Sequence, residues 1–244
     1  MLDEESAARA HLVVSLSGAH AYGFPSPDSD LDLKAIHIEP TARLIGLSPP
    51  VLHATRLEVI DGVEIDYSSN ELGSVLAAII QGNGNYAERI LGALSLRSSD
   101  EHAELRPIVE RSLSQRIYRH YHGFARAQLQ EFDAAPRPTA KKLLYVLRTA
   151  LTGVHVLRSG KIVPDLTMLV DESGFAEARE LVAQKRAGER VVLEEPLRGK
   201  WRAQAERAFA LLDEALARSP LPAEAPNRDE IEAWLLETRR RRWQ

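Results

Sequence analysis

Two aspartates stand at alternate positions where a loop leads into a hydrophobic segment. Asp30 and Asp32 open the stretch DLDLKAIHI, in which apolar and polar residues alternate as in a half-buried β-strand. On a strand, side chains two residues apart point to the same face, so we expect both carboxylates on one side of a sheet. Such carboxylates repel each other unless a cation lies between them, and oxygen ligands suit Mg²⁺ or Mn²⁺ rather than zinc.

A second pair of carboxylates alternates further along the chain. Glu64 and Asp66 lie in the stretch VEIDYSS, which has the composition of a strand. Sites that use two metal ions for phosphoryl transfer need a further carboxylate close to the first pair. Because both side chains would share one strand face, the spacing leaves open whether Glu64 or Asp66 is the third carboxylate of the site.

A glycine turn precedes the acidic strand. The segment HLVVSLSG indicates a strand that ends at Gly18, and a short helical turn follows it. Backbone N–H groups at such a turn can bind phosphate. Glycine turns and aspartate-rich turns are each common, so from spacing alone a solvated turn or a calcium loop remains the alternative to a nucleotide site.

A basic helix is predicted in the second half of the chain. Between Ala134 and Pro164 there are six lysines and arginines and no acid. At 100° per residue, Lys141, Tyr145 and Arg148 fall on one stripe of this helix, and apolar residues cover the opposite face. An ordinary amphipathic helix with a solvated polar face is the alternative, whereas the absence of acids favours a stripe on which Lys141 and Arg148 bind phosphate and Tyr145 contacts a base or sugar.

The pattern of elements around these residues predicts the fold class. Residues 1–100 alternate strand and helix signals, and an Asp61-Gly62 pair between two strand-like segments predicts a β-hairpin. Residues 101–244 carry helical periodicity throughout. We predict an α+β fold, with a small mixed sheet in a catalytic domain at 1–100 and an α-helical domain at 101–244 that completes the site.

Composition excludes several classes of protein. The chain has 244 residues, a net charge of −4 and no cysteine, which removes disulfides and thiolate catalysis. The negative charge argues against binding to long duplex nucleic acid. No apolar run reaches the roughly 20 residues of a membrane span, and no signal-peptide pattern is visible, so we expect a cytoplasmic protein. The four arginines at 239–242 are expected to form a solvated helix end rather than an RNA-binding tail.

The stretch GAHAYGFPSPDSDLDLKAI resembles the G-S-x-x-Y-G…S-D-x-D signature of the DNA polymerase β nucleotidyltransferase superfamily. From Ser17 to about Pro164 the chain is similar to the YcgL-like and RNA-ligase-associated (RlaP) branch. This resemblance includes EIDYSSNELGSVLAAIIQGNGNYAERIL and KKLLYVLRTALTGVHVLRSGKIVP. It implies a polymerase β-like core that moves a nucleoside monophosphate from an NTP such as ATP to a hydroxyl acceptor, with release of pyrophosphate. RNA-end repair is the process that this branch suggests.

The resemblance also implies roles for individual residues. Asp30, Asp32 and Asp66 would be catalytic residues that bind two Mg²⁺ or Mn²⁺ ions, with Glu64 as the competing third carboxylate. The nucleotide would contact Gly18, Ala19, His20, Tyr22, Lys141, Tyr145 and Arg148, and Lys34 and Arg89 are the next candidate cations. Ala19 departs from the usual serine, so a nucleotide-binding or interaction module with weakened catalysis is an alternative. A transferase acting on a protein or a small molecule is another.

Overall fold

A computed structural model describes residues 1–188 and 192–243. The chain divides into two compact units, which we describe separately. The first unit contains residues 1–17, 30–113 and the chain from 224 onward, and the second contains residues 18–29 and 114–223. These limits differ from the predicted division at residue 100, because the loop before the acidic strand belongs to the second unit and the C-terminal helix to the first.

The first unit is built on five strands. They are β1 (Ala10–Leu16), β2 (Leu31–Ile38), β3 (His53–Ile60), β4 (Val63–Glu71) and β5 (Ser95–Ser98). Its helices are α1 (Leu2–Ala8), α3 (Thr41–Ile45), α4 (Leu72–Ile80), α5 (Gly84–Leu91), α6 (Asp100–Ser112) and α12 (Arg228–Arg241). The second unit holds α2 (Gly18–Ala21), α7 (Ile117–Ala134), α8 (Ala140–Ser159), α9 (Leu166–Leu169), α10 (Ala178–Ala187) and α11 (Leu197–Ala217).

The sheet is mixed, which confirms the predicted α+β class. Its strand order is β3-β4-β2-β1-β5, and only the β2–β4 pair among these strands is parallel. The hairpin between β3 and β4 turns at Asp61 and Gly62, whose φ angles of 51° and 81° are both positive. Two positive φ values are typical of the tight turn that suits the twist of paired strands. The Asp-Gly signal therefore predicted this hairpin correctly.

A buried apolar cluster lies on the face of the sheet opposite to the acidic residues. Val14, Leu33, Ala35 and Tyr67 form a buried cluster, against which Met1 and other partly buried apolar side chains pack. Because side chains alternate along a strand, the even-numbered residues of β2 and β4 point to the opposite face. Burial of the apolar face therefore fixes the direction in which the β2 and β4 carboxylates point.

The C-terminal arginines hold α12 within the first unit. Arg239 forms an ion pair with Glu71, and its side chain is 13% exposed. Arg241 lies 2.9 Å from Glu104, and Arg242 lies 2.6 Å from Glu101. The prediction of a solvated helix end is therefore wrong for Arg239. Its ion-pair partner Glu71 is the N-cap of α4 and accepts a hydrogen bond from the Gly73 N–H.

Helix α8 is the centre of the second unit and is buried on almost every side. It packs against α7, α10 and α11. Gly153 allows the close approach, since a Cβ there would lie 2.7 Å from Tyr121 and 2.8 Å from Leu212. Arg148 and Thr152 are 2% and 0% exposed, so the alternative of a solvated polar face does not hold at these two positions. Buried polar side chains of α8 form hydrogen bonds within the unit; Thr152, for example, donates one to the Val163 carbonyl.

In residues 1–188 and 192–243, no helix combines the length and the apolar character that a membrane crossing requires.

The buried imidazole of His120 on α7 makes the stability of the second unit dependent on pH. Burial, and then the nearby charge of Arg148, lower the pKa of His120 to about 4. The folded protein therefore keeps this imidazole neutral, whereas the unfolded chain protonates it below about pH 6.5. The contribution of the neutral His120 to the free energy of unfolding is therefore fully present above that pH, and it is lost as the pH falls towards the pKa of the folded state.

We expect His120→Phe to reduce this acid sensitivity, since phenylalanine retains the stacking on Phe124 and binds no proton. Between pH 7 and pH 5, the free energy of unfolding should fall by roughly 1–2 kcal/mol less in the variant than in the wild type. Urea unfolding at several pH values measures this difference, which should be constant above pH 7. An equal loss in both proteins would contradict the assignment.

Candidate functional site

The carboxylates of β2 and β4 meet at one position of the parallel strand pair. Asp32 lies directly opposite Asp66 in the register. Lys34 stands two residues beyond Asp32, on the same face, with its Nζ 2.7 Å from Asp66 Oδ2 and 3.5 Å from Asp32 Oδ1. We call Asp30, Asp32 and Asp66 the carboxylate cluster. Its charge is partly balanced by the ammonium group of Lys34, which the sequence placed among the secondary candidate cations.

The surroundings of Asp32 disfavour its ionised form. Burial raises the pKa of Asp32, and the negative charges of Asp30 and Asp66 raise it further, while Lys34 acts against both effects. The side chain of Asp32 is 20% exposed, whereas that of Asp66 is 44% exposed. Asp66 is therefore the carboxylate of this pair that an incoming group can reach more easily.

Glu64 lies farther from Asp32 in the register than Asp66 does. It is exposed near the beginning of β4 and pairs with Val59, while the parallel pairing with β2 begins one residue later, at Leu31 and Ile65. The geometry thus brings Asp66, rather than Glu64, beside Asp32. The catalytic role of either residue remains a prediction.

The donor chemistry of the carboxylate cluster fits a hard divalent cation. All of its donors are carboxylate oxygens. The pKa of Asp32 is raised first by burial and then by the charges of Asp30 and Asp66, and a bound cation would oppose both effects. Among the described residues, no three His, Asp or Glu side chains are already arranged around one point as a metal would require. The ammonium of Lys34 instead lies within 4 Å of two of the carboxylates.

The predicted nucleotide residues before β2 lie in the second unit. Gly18 has a φ of 62° and begins the short helix α2, where the Tyr22 N–H donates to the Gly18 carbonyl. Gly18 and Ala19 are buried, and Tyr22 is partly buried. His20 is partly buried, and its Nε2 atom has no hydrogen-bond partner among the described residues.

An aromatic group connects this loop to helix α8 within the same unit. The Arg148 guanidinium lies over the ring of Tyr22, with Cζ 3.6 Å from the ring centroid. Tyr145 packs edge-on against Tyr22 and against Phe24, each at 5.6 Å between centroids. Lys141 lies one turn before Tyr145 and is partly buried. The structure therefore brings Tyr22, Tyr145 and Arg148 together, with Arg148 beneath an aromatic ring instead of on an open surface.

Lys185 on α10 is a residue that the sequence reasoning missed. It is fully buried, and its Nζ donates hydrogen bonds to Ser26 Oγ at 2.6 Å and Ser29 Oγ at 3.1 Å. Ser29 immediately precedes Asp30 in the chain, so Lys185 fixes the end of the loop that leads into the acidic strand. The sequence pattern that could have identified Lys185 is its spacing from Leu181 and Val182, which places it on the same buried face of the helix.

Comparison with protein families shows the family of this chain. The family model described as the RNA repair pathway DNA polymerase beta family, RlaP, matches residues 4–237. The chain belongs to this family. The match covers both compact units and includes every residue that the sequence nominated for the site.

Two relatives and one solved structure provide further comparisons. The uncharacterized protein MJ0002 of Methanocaldococcus jannaschii is 30% identical over 158 residues, which cover 64% of each chain. The uncharacterized protein YcgL of Bacillus subtilis is 28% identical over 186 residues, which are 73% of this chain and 70% of that protein. A nucleotidyltransferase-like protein from Exiguobacterium sibiricum aligns over all of this chain and 79% of its own, at 10% identity and a TM-score of 0.35. At that score the structural match carries no argument.

Removal of the crowded charge at Asp32 should not weaken the metal-free fold. The raised pKa of Asp32 means that its ionised form is disfavoured on folding, so Asp32→Asn should keep or raise the melting temperature at pH 7 in EDTA. Any advantage of the variant should shrink as the pH falls through the raised pKa of the wild-type Asp32 carboxyl, because that group then takes up a proton.

Lys34→Gln is the matched control, because it removes the ammonium that lies against both carboxylates and should lower the melting temperature. Differential scanning calorimetry of both variants provides the test. A clear loss of metal-free stability in Asp32→Asn would contradict the electrostatic account.

Proposed function

We propose that the protein transfers a nucleoside monophosphate from an NTP to a hydroxyl group at an RNA end, with release of pyrophosphate. The observation that carries this proposal is the position of Asp32 directly opposite Asp66 on the parallel β2–β4 pair, with Asp30 close enough to raise the pKa of Asp32. Membership in an RNA repair pathway family supports RNA as the class of acceptor.

The carboxylate cluster would hold Mg²⁺ or Mn²⁺, and we propose two ions. When bound, these ions would neutralise charge on the phosphates and make the attacking hydroxyl more acidic. Asp66 is the more exposed carboxylate of the facing pair, so it would orient the hydroxyl and help to remove its proton. Asp30 and Asp32 would act as ligands. Lys34 would keep the cluster ionised before the ions bind, since its charge lowers the pKa of Asp32.

The residues that the family resemblance assigns to the nucleotide belong to the second unit. The turn at Gly18 offers backbone N–H groups to phosphate, and the ring of Tyr22, backed by Tyr145, offers an aromatic edge to a base or sugar. Arg148 is 2% exposed beneath Tyr22, so we assign it to positioning that ring rather than to a direct phosphate contact. Lys141 would be the cation of this helix that contacts phosphate.

A second candidate function rests on Ala19. This residue is 2% exposed and stands where the superfamily commonly has a serine, so one hydroxyl contact to phosphate is missing. A nucleotide-binding module with weakened catalysis would then be expected. Such a module would bind Mg-NTP and release no pyrophosphate with any acceptor.

Transfer is tested with each α-labelled NTP, Mg²⁺ or Mn²⁺, and RNA oligonucleotides with free hydroxyl ends. We expect label on the RNA together with pyrophosphate release. Asp66→Asn should reduce the rate by roughly 10²–10⁴-fold, the usual contribution of a general base. Glu64→Gln, the matched control on the same strand face, should change it by less than about threefold.

The reverse order of these two effects would overturn the assignment of Asp66. If a protein or a small molecule is labelled in place of RNA, the proposed nucleotidyl transfer stands, but RNA is not its acceptor. NTP binding without pyrophosphate release under any of these conditions would favour the weakened module.

A further inference from the structure

Strand β3 is an open edge of the sheet. Within the described chain it pairs with β4 on one side and with no strand on the other. Leu57 and Val59 are 67% and 65% exposed, which is unusual for apolar side chains on a strand of eight residues. Natural proteins usually shorten, cover or charge such an edge, because its unpaired N–H and C=O groups can bind another strand. This edge is long and open; Arg56 and Glu58 charge one face of the strand, and Leu57 and Val59 leave the other face apolar.

The sequence of β3 restricts which strand could pair with it. If two copies pair in antiparallel fashion about a two-fold axis, the numbers of every two facing residues add up to one constant. Facing residues must also point to the same side of the sheet, so that constant has to be even. Three registers near the middle of β3 meet this condition, and they are centred on Arg56, Leu57 and Glu58.

Charge separates these three registers. Centred on Arg56, the pairing would place one guanidinium against its own copy, and centred on Glu58 it would place two carboxylates together, both of which are unfavourable. Centred on Leu57, it would place Arg56 opposite Glu58 of the second copy, and the symmetry repeats this contact. The exposed Leu57 side chains would then meet at the axis. The same register puts His53 opposite Asp61 of the second copy.

We propose that two copies of this chain associate through antiparallel pairing of their β3 strands, centred on Leu57. The product is a continuous ten-stranded sheet. In the single chain Arg56 already lies 2.7 Å from Glu4 and 2.8 Å from Glu58, so the carboxylate of the second copy extends an existing ion-pair network. Because the two-fold axis is perpendicular to the sheet, both carboxylate clusters lie on the same side of it.

The register is tested with two charge reversals, Arg56→Glu and Glu58→Arg. Each variant alone places like charges opposite each other, so its self-association should weaken at least about tenfold relative to the wild type. An equimolar mixture of the two restores opposite charges at both contacts, and it should form a heterodimer. Sedimentation equilibrium of the full chain measures the mass in each case, and circular dichroism verifies that each variant folds.

Leu57→Lys should also have the mass of a monomer, because the substitution places two ammonium groups next to each other at the two-fold axis. Leu96→Lys, on the opposite edge strand β5, is the matched control and should leave the dimer intact; Leu96 is 51% exposed. The proposal would be overturned if the wild-type protein remained monomeric up to submillimolar concentration. A mixture of the two charge variants that fails to associate would overturn the register. Neither result depends on catalysis, so both are distinct from a failure of the proposed transferase activity.

Discussion

The juxtaposition of Asp32 and Asp66 is the constraint on which the rest of the account depends. Two carboxylates at directly opposite positions of neighbouring strands are unfavourable without positive charge between them. Lys34 supplies part of that charge, yet burial and the remaining carboxylates still raise the pKa of Asp32. Stable folding alone would be served better by an asparagine at this position. The retained charge is therefore an argument for a bound cation and for chemistry at this point of the sheet.

The parallel pairing of β2 and β4 creates this juxtaposition, and the neighbouring elements make that pairing possible. The tight turn at Asp61 and Gly62 positions β3 and β4 as a hairpin, and the apolar face of the sheet fixes the direction of each side chain. The ion pair between Arg239 and Glu71 attaches α12 at the point where β4 ends. Elements that are distant in sequence thus define where one pair of side chains meets.

Local signals predicted part of this arrangement. The alternation around Asp30 and Asp32 correctly placed β2, and the Asp-Gly pair correctly placed the hairpin, because both patterns depend on neighbouring residues alone. The choice between Asp66 and Glu64 depends on a parallel register between strands more than twenty residues apart, which spacing does not determine. The spacing therefore identified two candidates, and the register separated them.

Burial was the property that the sequence predicted least well. A helical wheel shows which residues share a face of α8, but not which helices cover that face. Arg148 was therefore expected to reach a phosphate and lies buried beneath Tyr22 instead. Lys185 was overlooked for the same reason, since its partners Ser26 and Ser29 are far away in sequence. In both cases tertiary packing outweighed the local pattern of polarity.

The most direct test of the central claim is a crystal structure of the protein grown with Mn²⁺ and a non-hydrolysable NTP, with diffraction data collected at the manganese edge. The account predicts an anomalous peak between the carboxylates of Asp32 and Asp66, with the ammonium of Lys34 displaced from Asp66. Manganese bound elsewhere, or no peak while Lys34 still bridges the two carboxylates, would contradict it.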